Sequence, residues 1–196
     1  MQRFITLAFN TLLLLSLNAA TPETHYTVIV SLDGFRWDYP DMYKTPNLDR
    51  MAADGVKAVM LPSYPASTFP NHYTLATGLV PDHHGIINNT FWDVKNRRQY
   101  SMGDSATRNN PEYYLGEPIW ITAQKQGVKT GNMYWVGSDI AIKKSHPTYY
   151  RPWNAKPFLT FEQRIDTVLT WLQKPEPERP RLIMPVSYTH LTLPTT

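Results

Sequence analysis

Hydrophobic positions along the chain follow two periods that alternate with each other. Residues 26–32 (YTVIVSL) are a near-continuous apolar, β-branched run, which predicts a strand covered on both faces, as in a parallel sheet. Thr45-Pro46-Asn47 opens a helical pattern that runs to Ala53 and stops at Gly55. A second strand-like run covers 56–61. Pro62, Pro65 and Pro70 punctuate the loop after it, and a short helix is predicted over 71–77, with Pro70 near its first turn and Gly78 as its stop. Residues 117–126 read as helix, ended by Gly127, and 128–135 as strand. Thr160-Phe161-Glu162-Gln163 matches a capping box, and Ile165, Val168, Leu169 and Leu172 follow at i, i+3, i+4 and i+7, one face of an amphipathic helix. After a Pro/Glu connection at 175–180, residues 181–184 begin another apolar strand. Strands alternating with helices predict an α/β fold with a largely parallel sheet flanked by helices.

The two ends depart from this pattern. Arg3 lies in a short positive start, residues 4–17 are mostly apolar, and Asn18, Ala19 and Ala20 border a cleavage site, so 1–20 read as a secretory signal peptide. The alternative is an N-terminal core helix. Thr and Asn interrupt the apolar run too early for a membrane span, so an exported chain with no stable span after signal removal is expected, in a periplasm or outside the cell. Residues 186–196 (VSYTHLTLPTT) carry four threonines, no charge and no helical pattern. A sheet strand fits part of this text. The expectation drawn here is that 21–184 is native and that 185–196 is a non-native tail, with Pro185 removing a ladder donor where the strand should continue.

Composition narrows the class. Of 196 residues, 42% are hydrophobic and 18% charged, which suits one folded domain or part of one and is too apolar for a disordered chain. Seventeen prolines argue against a helical bundle. The absence of cysteine excludes a thiol nucleophile, a disulfide framework and a cysteine–zinc finger. The net charge of +3 comes without a long Lys/Arg block, so no binding of a nucleic-acid polymer is expected.

G-x-S-x-G, the P-loop, H-E-x-x-H and a G-x-G-x-x-G after a strand are all missing. Asp33, at the end of the first strand and before Gly34, is placed to aim a carboxylate at a metal or substrate, because ligands bind beyond the carboxyl ends of parallel strands. The same Asp-Gly also reads as a plain turn. Ser67 and Thr68 precede a helix N-terminus, where free N–H groups favour phosphate; they equally suit a plain cap. A threonine hydroxyl needs a base or metal to become a nucleophile, and a metal on Asp33 would supply that.

Several blocks then occur in a fixed order: V-S-L-D-G-F-R (30–36), T-P-N-L-D-R-M-A-A-D-G-V (45–56), P-S-Y-P-A-S-T-F-P-N-H-Y-T-L-A-T-G-L-V-P (62–81) and H-G-I-I-N-N-T-F-W-D (84–93). G-E-P-I-W (116–120) and Y-W-V-G-S-D (134–139) continue the series. Together they resemble the nucleotide pyrophosphatase/phosphodiesterase family, type I phosphodiesterases of the alkaline phosphatase superfamily. The resemblance implies an alkaline-phosphatase-like sheet and a metal-dependent hydrolase of phosphodiester or pyrophosphate bonds in small nucleotide-type substrates. It implies Thr68 as nucleophile and metal ligand, Asp33 as a ligand of the same zinc, and Asn89 as a donor to a phosphoryl oxygen. It further implies Phe69 and Trp153 as walls against a base, Asp139 as pocket lining, and Arg108 near a distal phosphate. Phe69 and Trp153 also read as core aromatics, and Asn89 as a turn residue. His72, His83 and His84 do not match the family's ligands.

The family holds two zinc ions, and the resemblance implies further ligands from an Asp-x-x-x-His segment after the strand that matches 181–184, an Asp-His pair and a more distant His. Those patterns do not occur here: His190 is the only His after His146, and position 186, four before it, is Val. The fold is therefore expected to be incomplete, an N-terminal part of a catalytic domain that is inactive as this chain. Within the class, a choline or lipid-type diester is the alternative substrate. A sulfatase would need Cys/Ser-x-Pro-x-Arg, and an Asp-nucleophile phosphatase would need an acid where Phe35 stands. Outside it, six Trp and twelve Tyr leave room for a non-catalytic exported binding module.

Overall fold

The computed structural model describes residues 25–188, so the expected signal peptide at 1–20 and His190 lie outside the described residues. The chain opens with β1 (Thr27–Val28) and β2 (Ser31–Asp33). Then come α1 (Tyr39–Met42), α2 (Pro46–Asp54), α3 (Thr68–Thr77) and α4 (Pro81–His84). A hairpin of β3 (Thr90–Asp93) and β4 (Arg98–Ser101) leads into α5 (Ser105–Arg108) and α6 (Ile119–Lys125). The rest is β5 (Thr130–Met133), β6 (Tyr149–Arg151), α7 (Phe161–Leu172) and β7 (Leu182–Tyr188).

β1, β2, β5, β6 and β7 make one five-stranded sheet in which every pairing is parallel, with β7 central. β7 pairs with β1 and then β2 along one side and with β5 along the other, and β6 lies beyond β5. The expected α/β architecture is present. Its core is aromatic: Trp120, Trp135, Tyr73, Tyr100 and Tyr134 are fully buried.

Four expectations are corrected. The run at 26–32 is not covered on both faces: as the edge of the sheet it leaves Val28 and Val30 exposed, 46% and 60%. Residues 56–61 form no strand; they find no pairing partner among the described residues, and Val56 and Leu61 stand 91% and 87% exposed. α7 has its capping box, with Gln163 N–H donating to Thr160 Oγ1 and Thr160 N–H to Gln163 Oε1. Its buried seam is turned, however: Trp171 packs inward with Val168 and Leu172 at its flanks, while Ile165 and Leu169 face out. Finally, Pro185 does not stop the last strand. Ile183 C=O accepts from Ile29 N–H, so by strand alternation the donor Pro185 lacks faces the same edge. β1 and β2 share one register against β7, so the break between them falls opposite that missing donor, yet β7 runs on to pair Val186–Tyr188 with Ser31–Asp33.

α4 is held by His84, which is fully buried. Its Nδ1 accepts from Ile86 N–H at 3.2 Å, so the proton sits on Nε2, facing Pro70 C=O at 3.2 Å and Thr74 Oγ1 at 3.0 Å. Burial holds the imidazole below its ordinary 6.5. The unfolded chain therefore takes up the proton first. Stability is full above about pH 6.5 and is lost as pH falls from there through the folded value. The thermal midpoint of the chain should drop between pH 7 and pH 5. His84→Asn should be less stable at pH 7 and should flatten that drop, and an unchanged slope in the variant would assign the acid sensitivity elsewhere.

Candidate active site

Asp33 is the last residue of β2 and pairs in register with Tyr188, the last residue of β7. It therefore stands at the carboxyl edge of the parallel sheet, where ligands bind in such folds. Gly34 follows at φ 73°, a left-handed backbone that glycine adopts without a Cβ clash, and this turns the chain off the sheet. Thr68 opens α3 three residues earlier than periodicity predicts, so the hydroxyl lies in the first turn, after Ser67 as N-cap. Thr68 Oγ1–H donates to Asp33 Oδ2 at 3.3 Å. Both side chains, with Arg36, Ser67 and His72, line a cleft of about 800 Å³.

Three side chains fix this geometry. Asn71 pins the proline loop before α3: its Nδ2 donates to the carbonyls of Ser63, Pro65 and Ser67, and its Oδ1 accepts from Ser63 N–H. His72, buried, faces Ser31 Oγ at 2.9 Å and Thr68 C=O at 2.8 Å, and burial holds its pKa below the ordinary value. Asn89, just before β3, accepts from Phe69 N–H through Oδ1 at 2.9 Å. Since Phe69 N–H can only donate, Asn89 Nδ2 points elsewhere as a donor. Of these, Asn71 is not singled out by the sequence and His72 is set aside there only as a metal ligand; the available clue is their place in the T-F-P-N-H block, one turn on from Ser67 and Thr68. Asn71→Ala should lower stability by about 2 kcal/mol, because three carbonyls lose their shared donor. Urea unfolding against Leu75→Ala, at a half-exposed neighbour, checks this, and equal midpoints would dismiss the loop-pinning role.

The other expected site residues fall into two groups. Phe69 is 1% exposed and meets Trp153 edge to face, ring centroids 4.9 Å apart. The rings touch each other and leave no slot between them; Trp153, beyond β6, is the partly exposed member. Burial raises the pKa of Asp139, in the turn after β5, and its own backbone N–H, the Arg108 charge and the Trp153 backbone N–H draw it back. Arg108 itself is 4% exposed and donates through Nη1 to Met102 C=O at 2.9 Å, beside buried Tyr100 and Tyr114. Asp139 and Arg108 are outside the cleft that Asp33 and Thr68 line. His83 is exposed on α4.

Among the described residues no cluster of three or more His, Asp or Glu comes together to hold a metal. Asp33 and Thr68 still fit one as part of a ligand set. Their oxygens are 3.3 Å apart. That is the separation of two ligands placed about 2.0 Å from one tetrahedral ion such as zinc.

A family profile described as type I phosphodiesterase / nucleotide pyrophosphatase matches residues 27–190. The chain belongs to this family. It is 43% identical over 156 residues to bovine (Bos taurus) ectonucleotide pyrophosphatase/phosphodiesterase family member 3, covering 78% of this chain and 18% of that protein. It is 44% identical over 161 residues to human (Homo sapiens) family member 1, covering 81% of this chain and 17% of that protein. Venom phosphodiesterase 2 of Crotalus adamanteus is 40% identical over 156 residues, 78% of this chain and 19% of that protein. Murine ectonucleotide pyrophosphatase / phosphodiesterase 5 superposes with a TM-score of 0.76 at 32% identity, covering 85% of this chain and 44% of that chain. An inactive form of that murine protein in complex with AMP matches equally well, at 31% identity. The chain thus spans less than a fifth of the length of these curated relatives, and less than half of the solved ones. Among the described residues no helix is long and apolar enough to cross a membrane.

Proposed function

We propose that this phosphodiesterase segment carries the nucleophile half of an exported enzyme, periplasmic or extracellular, that hydrolyses phosphodiester and pyrophosphate bonds of nucleotide-type substrates. The observation that carries the reading is the Thr68 hydroxyl, 3.3 Å from Asp33 in the first turn of α3 at the carboxyl edge of the sheet. In this reading Asp33 and Thr68 hold one of two zinc ions, and residues 21–184 form the N-terminal part of a longer catalytic domain. The metal supplies the activation that a threonine hydroxyl lacks at neutral pH.

Thr68 Oγ attacks phosphorus as the bond to the leaving alcohol or nucleotide breaks, and water later hydrolyses the phospho-threonine. Asp33 orients the hydroxyl. Asn89, its Oδ1 engaged by Phe69 N–H, presents Nδ2 to a phosphoryl oxygen and so meets the charge that builds in the transition state. Trp153, partly exposed and backed by Phe69, stacks a base. Asp139 lines the pocket, and Arg108 serves a distal phosphate of the substrate. The AMP complex of the murine relative supports a nucleotide over a choline diester.

The full-length protein should cleave a nitrophenyl ester of a nucleoside monophosphate in preference to a choline phosphodiester, and a chelator should abolish it. The 196 residues alone should do neither, because Asp33 and Thr68 fall short of the three protein ligands a catalytic zinc needs. Preference for the choline ester would move the substrate class, and turnover indifferent to chelator would overturn the metal-assisted reading.

A further inference from the structure

The side chains that set the spacing between Asp33 and Thr68 belong to neither residue. Ser31 and Asp33 are two apart on β2, so both project from the same face of the strand. Thr68 and His72 are four apart on α3 and so share one face of the helix. These faces meet twice. At one point Thr68 Oγ1–H donates to Asp33 Oδ2 at 3.3 Å; at the other His72 Nε2 and Ser31 Oγ lie 2.9 Å apart. His72 closes the ring through Nδ1, 2.8 Å from the Thr68 carbonyl.

The tautomer follows from the partners. A carbonyl only accepts, so Nδ1 carries the proton and donates to Thr68 C=O. Nε2 is then an acceptor, and the Ser31 hydroxyl donates to it. Every atom in the chain Ser31–His72–Thr68 thus has one role, and the imidazole bridges strand to helix as a rigid plate. The plate is itself held from the core. Trp135, fully buried, donates its indole N–H to His72 C=O at 3.0 Å and meets the imidazole edge to face at 5.4 Å.

We propose that Ser31 and His72 form a brace that fixes the separation of Asp33 and Thr68, making His72 a positioning residue for the reaction and for metal capture. The inference rests on the reading of Asp33 and Thr68 as joint metal ligands. It gives His72 a task without making it a ligand, and it assigns the serine of the V-S-L-D-G block a role two residues from the acid.

The test uses the full-length protein and two readouts: zinc affinity by competition with a chromophoric chelator, and kcat against KM. Ser31→Ala should weaken zinc binding and lower kcat, each on the order of tenfold for one lost hydrogen bond, with KM within about twofold. Ser31→Thr keeps the hydroxyl and should restore both. His72→Asn keeps a donor near the Thr68 carbonyl and drops the contact with Ser31, so it should match Ser31→Ala. The double variant should be no worse than the worse single, because both changes cut the same brace. If Ser31→Ala stays folded and retains wild-type zinc affinity and kcat, or if the two losses add in full, the brace is wrong. The underlying reading fails differently: Thr68→Ala would then keep turnover, whatever Ser31→Ala does to zinc.

Discussion

Thr68→Ala in the full-length protein should lose turnover of a nucleotide diester by about four orders of magnitude or more, the scale seen when a covalent nucleophile is removed. The fold should barely register the change. Thr68 stands one residue inside α3, Ser67 is the N-cap, and no side-chain cap bond depends on either. Acid quenching of a reaction with a phosphorus-labelled diester should leave label on the wild-type protein and none on the variant. Thr68→Ser keeps an oxygen at the same place and should keep measurable turnover. Asp33→Asn separates the roles, since a neutral amide is a weaker ligand, so zinc occupancy should fall along with rate, whereas Thr68→Ala should keep much of its metal. Label retained on Thr68→Ala would remove this residue from the chemistry.

How much of this was legible beforehand differs by element. Asp33 could be read as a strand-end acid because 26–32 carries a near-continuous apolar, β-branched run and Gly34 follows Asp33. The capping box at Thr160 was equally plain, since both bonds are local and need no tertiary partner. What failed was exposure. Periodicity says which residues share a face but not what covers the face: the apolar text at 26–32 reads as a buried strand and that at 56–61 as a strand. In the structure the first is a sheet edge and the second unpaired, with Leu61 87% exposed. Pro185 was legible as a missing ladder donor, and the break between β1 and β2 falls opposite it; what the sequence could not say is that β5, on the other side, carries β7 past the gap.

The site divides the same way. Residue type and position pointed to Asp33 and Thr68, the family resemblance alone pointed to Asn89, and the side chains that support them are silent in the sequence. Asn71 reaches back over the proline loop, His72 reaches 41 residues back to Ser31, and Trp135 reaches 63 back to His72. Asp139 is read as pocket lining from the resemblance; the neighbours that hold down its pKa against burial, its own backbone, Arg108 and the Trp153 backbone after β6, leave no local trace in the sequence. Arg108 is bound to Met102 C=O with its guanidinium turned inward, and no local pattern distinguishes such a buried arginine from one that meets a phosphate.

Asn89 carries two functions on one amide, and substitution can split them. Its Oδ1 accepts from Phe69 N–H at 2.9 Å, satisfying one of the free donors in the first turn of α3 from outside the helix. Its Nδ2 is the proposed donor to the phosphoryl oxygen. Asn89→Ala removes both. Losing the helix contact should cost about 1 kcal/mol of stability, and losing the oxyanion donor should lower kcat roughly 100- to 1,000-fold. Asn89→Asp keeps an oxygen for Phe69 N–H and places a negative charge at the positive end of the helix, so stability should match or exceed the wild type. It loses the donor and sets a charge against the phosphoryl group, so kcat should fall at least as far as in Asn89→Ala. The thermal midpoint and kcat must therefore move in opposite senses between the two variants. If Asn89→Asp turns over like the wild type, the residue acts only as a cap for α3, and the charge in the transition state is met by another group.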